Sequence, residues 1–472
     1  MQQLSGLDAA FLAMESTEVF GHVGSVCLLD PSTAPQPVDL QRLTSLIASR
    51  LHLVPSFHRR LLPVPFGLDQ PYWVEEPHPS LDYHVREIAL PEPGDDHQLA
   101  VQVARLHAVP LDRSRPLWEL YLITGIHGGR AAVYSKIHHA AMDGVSGDDV
   151  LAAVLDLSPD GRTVPPPAAE EVEQPPGAAS LLSRSALSLI KQPARAIRVG
   201  RGLLGSAPGL AVAAADRVPL LDRFHHRDAA APHSGLRAPH VPFNASISPH
   251  RRWAFADLSM REVKQVKDRA GVTVNDVVMT LCAGALRRWL LTHDALPTDP
   301  LVAAVPVSIR GGGGSGTSGN RLSAMLAAVP TNVETPAERL VAATAAMHAA
   351  KSEHGAIPPT LLSDAAGFAL PLLANPAWQV SGRLRLLELA NPYNLFISNV
   401  PGPRVPLYYA GAQLLAYFPI SAISHGQGLN ITVMSYCDRL CFGLLACRDL
   451  VPDLEQLAAW LGEELQLLLA DA

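Results

Sequence analysis

Cysteine is scarce in these 472 residues: there are five, Cys27, Cys282, Cys437, Cys441 and Cys447. An odd count without paired spacing excludes a disulfide framework and fits a reducing compartment. Long apolar runs are missing too, the best, Leu203 to Ala215, being broken by Ser206 and Pro208, which excludes a membrane span. The start, Met1-Gln2-Gln3-Leu4-Ser5, lacks the basic and apolar regions of a secretory leader. Positive charge is not in excess: 37 Lys plus Arg face 44 Asp plus Glu, a formal charge of -7, which argues against a nucleic-acid partner. No Cys or His cluster at ligand spacing points to a metal. The expectation is a soluble, cytoplasmic protein with no bound metal or cofactor.

Length is what the chain has in plenty, and 472 residues exceed one ordinary core. Residues 1–158 interleave helices and strands and read as a first α/β domain. Helical spacing places Leu40, Leu43, Leu46, Ile47 and Leu51 on one face, and Leu99 to His107 is a second helix. Ser5 to Phe11 is short and mixed; Tyr83-His84-Val85 is strand-like; Gly128-Gly129 makes a hairpin turn. Residues 159–240 are a linker, opened by Pro165-Pro166-Pro167 and Pro175-Pro176. Within it, 181–227 carries eight cations against Asp216 and Asp222, interleaved with Leu and Ile. This basic amphipathic segment is suited to an anionic lipid surface or to a solvated connector helix.

The stretch Lys136-Ile137-His138-His139-Ala140-Ala141-Met142-Asp143-Gly144 ends a strand beginning near Ala131. A histidine where a strand ends is exposed yet rigidly placed, and a neutral imidazole can take a proton near pH 7 and return it. Asp143 follows four residues on, close enough to shape the turn.

Residues 241–472 read as the second domain. Thr273 and Asp276 have capping-box spacing at the mouth of a long helix, Val277 to Leu291. Asn275 at that mouth is free to point off the end, where an oxyanion is welcome. A strand from Leu301 ends at Arg310; the Gly311, Gly313, Gly316 pattern after it lacks a following helix, so a dinucleotide fingerprint is rejected. Leu370 to Leu373 could line an apolar pocket, and Asn394 to Asn399 is a strand entering a turn.

These motifs in order, Pro116-Leu117-Trp118, His138-His139 with Asp143-Gly144, Asn275-Asp276, and Asn399-Val400-Pro401-Gly402-Pro403, resemble the bacterial wax ester synthase/diacylglycerol acyltransferase family. The resemblance implies two similar α/β domains of the chloramphenicol-acetyltransferase type, joined by a helical linker, with an active-site tunnel at their interface. It implies transfer of a long-chain acyl group from acyl-CoA, a co-substrate, to diacylglycerol or a long-chain alcohol; the basic 181–227 segment is what would give such a protein peripheral contact with membrane or lipid droplets. By the same resemblance His139 is the general base, Asn275 the oxyanion donor, Asp143 an orienting residue paired with Arg310, and His138 a structural neighbour. Gly144 and Asp276 support the site, and Pro116, Leu117, Trp118 and Asn399 are candidates to line the tunnel, Trp118 by packing or by contact. A carrier-protein thioester donor, another lipid or polyketide alcohol, or a non-catalytic lipid-binding protein are the competing functions.

Overall fold

The computed structural model describes residues 1–65, 69–142, 147–166, 176–177, 179–183, 237–308, 322–354 and 392–470. Asp143, Gly144, Arg310, the glycine run 311–316, the apolar stretch 370–373 and the basic segment beyond residue 183 lie outside the described residues.

Two six-stranded sheets carry the architecture. The first has β2 (His22–Asp30) and β7 (Arg130–His138) at its centre, flanked by β6 (Trp118–Ile126) and β5 (Val85–Ala89). Both central strands are buried over most of their length, so they read as apolar runs rather than as alternating ones. A hairpin joins β6 to β7 through Gly128 and Gly129, whose φ angles of 77° and 71° are open to glycine. On the other side of β2 lie β13 (Ala412–Ile420) and then β12 (Tyr408–Tyr409). A small third sheet consists of β1 (Gln2–Gln3), β4 (Tyr72–Glu75) and β3 (Arg59–Leu62).

The second sheet runs β10 (Leu322–Val329), β9 (Leu301–Ser308), β11 (Leu395–Val400), β14 (Leu429–Tyr436), β15 (Arg439–Cys447), β8 (Arg251–Ser259). Strand β11 is parallel to both β9 and β14, so these three share a carboxyl end. The helix Val274–Thr292 is buried without interruption from Asp276 to Leu286, the signature of a core helix. It packs with the helices Met260–Ala270, Pro336–His354 and Leu454–Ala470 on this sheet. In the same layer the buried ion pair Arg339–Glu464, 2.6 Å apart, passes over Gly284, where a Cβ would clash with Glu464.

Sequence order does not follow the sheets. Strands β12 and β13 come from the second half of the chain, yet β13 pairs antiparallel with β2, from Gln413 opposite Asp30 to Ile420 opposite Gly24. The division expected at residue 240 is therefore not a division of the sheets. Where β13 crosses β15, a Cβ on Gly443 would lie 1.7 Å from the Pro419 carbonyl oxygen, so only glycine permits the crossing. The helix Asp96–His107 of the first half packs on β8 of the second, and Trp253, Phe255 and Phe418 share an aromatic cluster between the sheets.

Two local expectations are corrected. Ser5 to Phe11 is not mixed: Gly6–Met14 is a helix, with the Ser5 hydroxyl oxygen accepting from the Asp8 amide at 3.2 Å. Tyr83 and His84 close a one-turn helix, Leu81–His84, and the strand begins only at Val85. Among the described residues no helix is long and apolar enough to cross a membrane.

Candidate active site

His138 is the last residue of β7 and pairs with His22 across the sheet. His139 opens a short 3-10 turn, His139–Met142. Two backbone bonds fix this junction: the His138 amide donates to Leu117 O at 3.0 Å, and the His139 amide to Gly21 O at 2.8 Å. The two rings then face different surroundings. His138 is buried; its Nδ1 accepts from the Ala140 amide at 3.0 Å, which leaves the ring proton on Nε2, 3.1 Å from Glu15 Oε1. A Cβ on Gly21 would lie 2.6 Å from that Nε2, so glycine is what lets the 15–21 loop close over the ring.

Glu15 is held in turn. It accepts from the Gly21 amide at 2.7 Å and from Arg113 Nη2 at 2.6 Å. Burial alone would raise its carboxyl, but hydrogen bonds from His138, Arg113 and the Gly21 amide outweigh that and hold it at about 2. Glu15 was not a residue the sequence reading named. The signal that could have led to it was the Ser5-x-x-Asp8 capping spacing, which starts the helix that ends beside it.

His139 is partly exposed, and its ring stacks on Phe11 with centroids 4.1 Å apart and planes at 24°. Burial, then the adjacent His138, push its pKa down to about 4. The imidazole is thus neutral at pH 7, as an acceptor of protons must be. Its Nδ1 is buried and has no hydrogen-bond partner among the described residues.

The second element is the mouth of the Val274–Thr292 helix. The capping box is present: Thr273 Oγ1 accepts from the Asp276 amide at 3.3 Å, and Asp276 Oδ2 accepts from the Thr273 amide at 2.8 Å. Asp276 is therefore a buried capping group. Asn275, beside it and partly exposed, accepts at Oδ1 from Asn399 Nδ2 at 3.3 Å. That bond occupies the acceptor end of the amide and leaves the Nδ2 donor end directed elsewhere.

Pairing register links the two elements. Two residues before His138, Lys136 is opposite Gly24, and Gly24 is also opposite Ile420, the end of β13. The next residue, Ser421, shares a 2.7 Å hydroxyl bond with Thr432 on β14, and Thr432 is opposite Ser398, which adjoins Asn399.

Residues 4–278 match the wax ester synthase/diacylglycerol acyltransferase catalytic domain, and 318–469 the C-terminal domain of the same family. The chain belongs to this family. A Mycobacterium tuberculosis protein provisionally named a diacylglycerol O-acyltransferase is 38% identical over 99% of this chain and 90% of its own. The protein named tgs2 of the same organism is 36% identical, over 97% of both chains. The wax ester synthase/diacylglycerol acyltransferase of Marinobacter aquaeolei VT8 superposes with a TM-score of 0.71 at 30% identity, covering 100% of this chain and 99% of that one. The starter condensation domain of rhizomide synthetase, at 14% identity and a TM-score of 0.52 over 100% and 95% of the two chains, shares the fold. The protein is accordingly an acyltransferase with the two-domain α/β fold of this group.

In this wax ester synthase/diacylglycerol acyltransferase fold, Leu117 directly precedes β6 and Trp118 opens it. Both are buried, Trp118 stacking between Phe57 and His84 and donating from Nε1 to Phe57 O at 3.0 Å. Pro116 is buried too, and the Pro116-Leu117-Trp118 run acts as packing that presents Leu117 O to the His138 amide. Leu117 lies in one cluster with Leu4, Leu12, Ala140 and Ala141, so the N-terminal helix and the histidine turn share a core. Asn399 is partly exposed and touches Asn275.

Proposed function

We propose that this acyltransferase esterifies a long-chain acyl group from acyl-CoA onto diacylglycerol or a long-chain alcohol, with His139 as general base. The observation that carries it is a neutral, stacked imidazole at a rigid strand end. A hydroxyl is not ionised at neutral pH, so its attack on a thioester carbon needs a base within hydrogen-bond reach. The new C–O bond forms as His139 takes the hydroxyl proton. The tetrahedral oxyanion then collapses, the C–S bond breaks, and His139 returns the proton to the departing thiolate. Asn275 supplies a donor to the oxyanion, its amide oriented by Asn399 and supported by the helix mouth. The shared junction of β7, β13, β14 and β11 supports a common site for the two groups. Asp143, with Arg310 as its partner, remains the orienting pair of this reading, and peripheral contact with a lipid surface belongs to the basic linker.

Thiol release from palmitoyl-CoA, measured with dioleoylglycerol and with hexadecanol as acceptors, tests the reaction. His139→Ala should lower turnover by roughly 10²–10⁴ with an unchanged melting temperature. Unchanged turnover would remove His139 from the mechanism. Transfer from an acylated carrier protein but not from acyl-CoA would replace the donor.

A further inference from the structure

We propose that the groove between the Met260–Ala270 helix and the 401–407 loop binds the phosphates of the acyl donor's nucleotide handle. The proposal rests on acyl-CoA being the donor and assigns where its charged end lies.

The groove stands where open α/β sheets take ligands, outside the carboxyl ends of parallel strands. The chain leaving β11 there is tied down at three points. The Gly402 amide donates to Ser435 Oγ at 3.0 Å, Pro403 O accepts from the Cys437 amide at 2.9 Å, and the Leu407 amide donates to the Tyr436 hydroxyl at 2.9 Å. A Cβ on Gly402 would lie 2.1 Å from Ser435 O, so the loop hugs β14. The helix is fastened to the same turn by the Met260 amide, 2.8 Å from Asp438 O. Both walls are therefore fixed.

Between them is a space of about 630 Å³. Arg261 and Lys264, one helical turn apart on one face, and Arg404, on the opposite wall, line it. Among the described residues none of the three has an ion-pair partner, although the protein as a whole carries a formal charge of -7. Neighbouring charges are paired: Lys267 holds Asp268 at 2.6 Å, and Arg439 pairs with Asp257. Asp268 and Asp438 also line the groove, and the first is already engaged by Lys267. Three cations converging on one rigid groove match a phosphate cluster, which guanidinium groups hold in paired hydrogen bonds. The comparable space of about 700 Å³ between the Leu40–Arg50 helix and β5 has no such charge to offer: its Arg86 is bound to the Tyr121 hydroxyl at 2.8 Å.

The reach is right for one molecule. Arg404 is five residues beyond Asn399, so at most roughly 17 Å of chain separates their backbones, within the reach of a pantetheine arm between sulfur and diphosphate. A thioester near Asn275 and phosphates at Arg404 can thus belong to the same donor.

The test is the variant Arg261→Gln/Lys264→Gln/Arg404→Gln in the full chain, with its melting temperature checked. Adenosine 3′,5′-bisphosphate should bind the wild type in calorimetry and bind the variant at least about tenfold more weakly. KM for palmitoyl-CoA should rise by a similar factor, while KM for palmitoyl-pantetheine, which has no nucleotide, and both kcat values stay unchanged. Failure of the wild type to bind the bisphosphate, equal binding by the variant, or a parallel rise in both KM values would overturn the proposal. So would a loss of binding to phosphatidylglycerol vesicles with bisphosphate binding intact, since the groove would then serve a lipid headgroup. A wild type inactive with every acyl-CoA would sink the donor reading alone, and the bisphosphate titration would still decide the groove.

Discussion

Glu15→Gln removes one charge and almost no volume, beneath the histidine pair. In the wild type the carboxylate accepts from the Gly21 amide and from Arg113 and faces His138 Nε2 at 3.1 Å. Its pKa of about 2, against an ordinary 4.5, means that the folded protein favours the ionised form over the unfolded chain by about 3 kcal/mol. A glutamine that keeps its oxygen at the Oε1 position, for Gly21 and His138, turns its NH2 toward Arg113, itself a donor. The expected loss is therefore about 2–3 kcal/mol at pH 7, read from urea unfolding of both proteins. The sign follows from the depressed pKa: the contribution is complete above pH 4.5 and is lost as pH falls toward 2. The gap between variant and wild type should thus be constant from pH 8 to pH 5 so far as Glu15 itself titrates, and close only in stronger acid. Equal stability of the two proteins at pH 7 would refute the reasoning.

Two further outcomes follow from the same structure. His22 and His107 are buried, and burial, aided by nearby positive charge, lowers their pKa values, to about 3 for His22 and well below 6.5 for His107. The unfolded chain takes up protons there first, so stability present above pH 6.5 is lost on acidification, on the order of 2–3 kcal/mol between pH 7 and 5.5 for the pair. Urea titrations at the two pH values measure it, and pH-independent stability would contradict it. By contrast kcat/KM should stay flat from pH 8 to 6 wherever the protein is folded, because His139, at about 4, is already neutral; an acid limb near 6.5 would assign the base elsewhere. In a double-mutant cycle, Asn275→Ala should lower kcat by about 10²–10³ and Asn399→Ala by less. The double variant should fall no further than Asn275→Ala; additive losses would show that Asn399 does not act through Asn275.

Much of this site was legible in the sequence, and the reasons differ by residue. The Thr273–Asp276 capping box was readable because its partners are three residues apart and the physics is local. The strand bearing His138 was readable from its apolar run and the Gly128-Gly129 turn. Trp118 was not: the same residue suits a tunnel wall or a core, and the Phe57 and His84 rings stacked on it come from segments distant in sequence. Residues 412–420 were harder still. Their strand joins the first sheet by pairing with β2, nearly four hundred residues earlier, and nothing local encodes which sheet a strand will join. Pro419 near its end adds a residue that sequence reasoning associates with edges and breaks.

Arg251, the first residue of β8, shows why the histidine motif alone could not disclose its support. Its guanidinium is buried, and among the described residues no carboxylate lies within ion-pair distance. It donates instead to the carbonyls of Glu18 and Ser248 and lies 4.7 Å from the Phe20 ring. Burial lowers its pKa to about 10, so it remains charged at pH 7, and carbonyl dipoles and the ring face must offset the desolvation. That charge from the second half of the chain is directed at the 15–21 loop, whose Glu15 faces His138 and whose Gly21 O receives the His139 amide. Four separate segments, the N-terminal helix, this loop, β7 and β8, thus fix the ring that takes the proton. A local motif records one of the four, and burying an arginine without a counter-ion is how the second half of the chain reaches a histidine that belongs to the first.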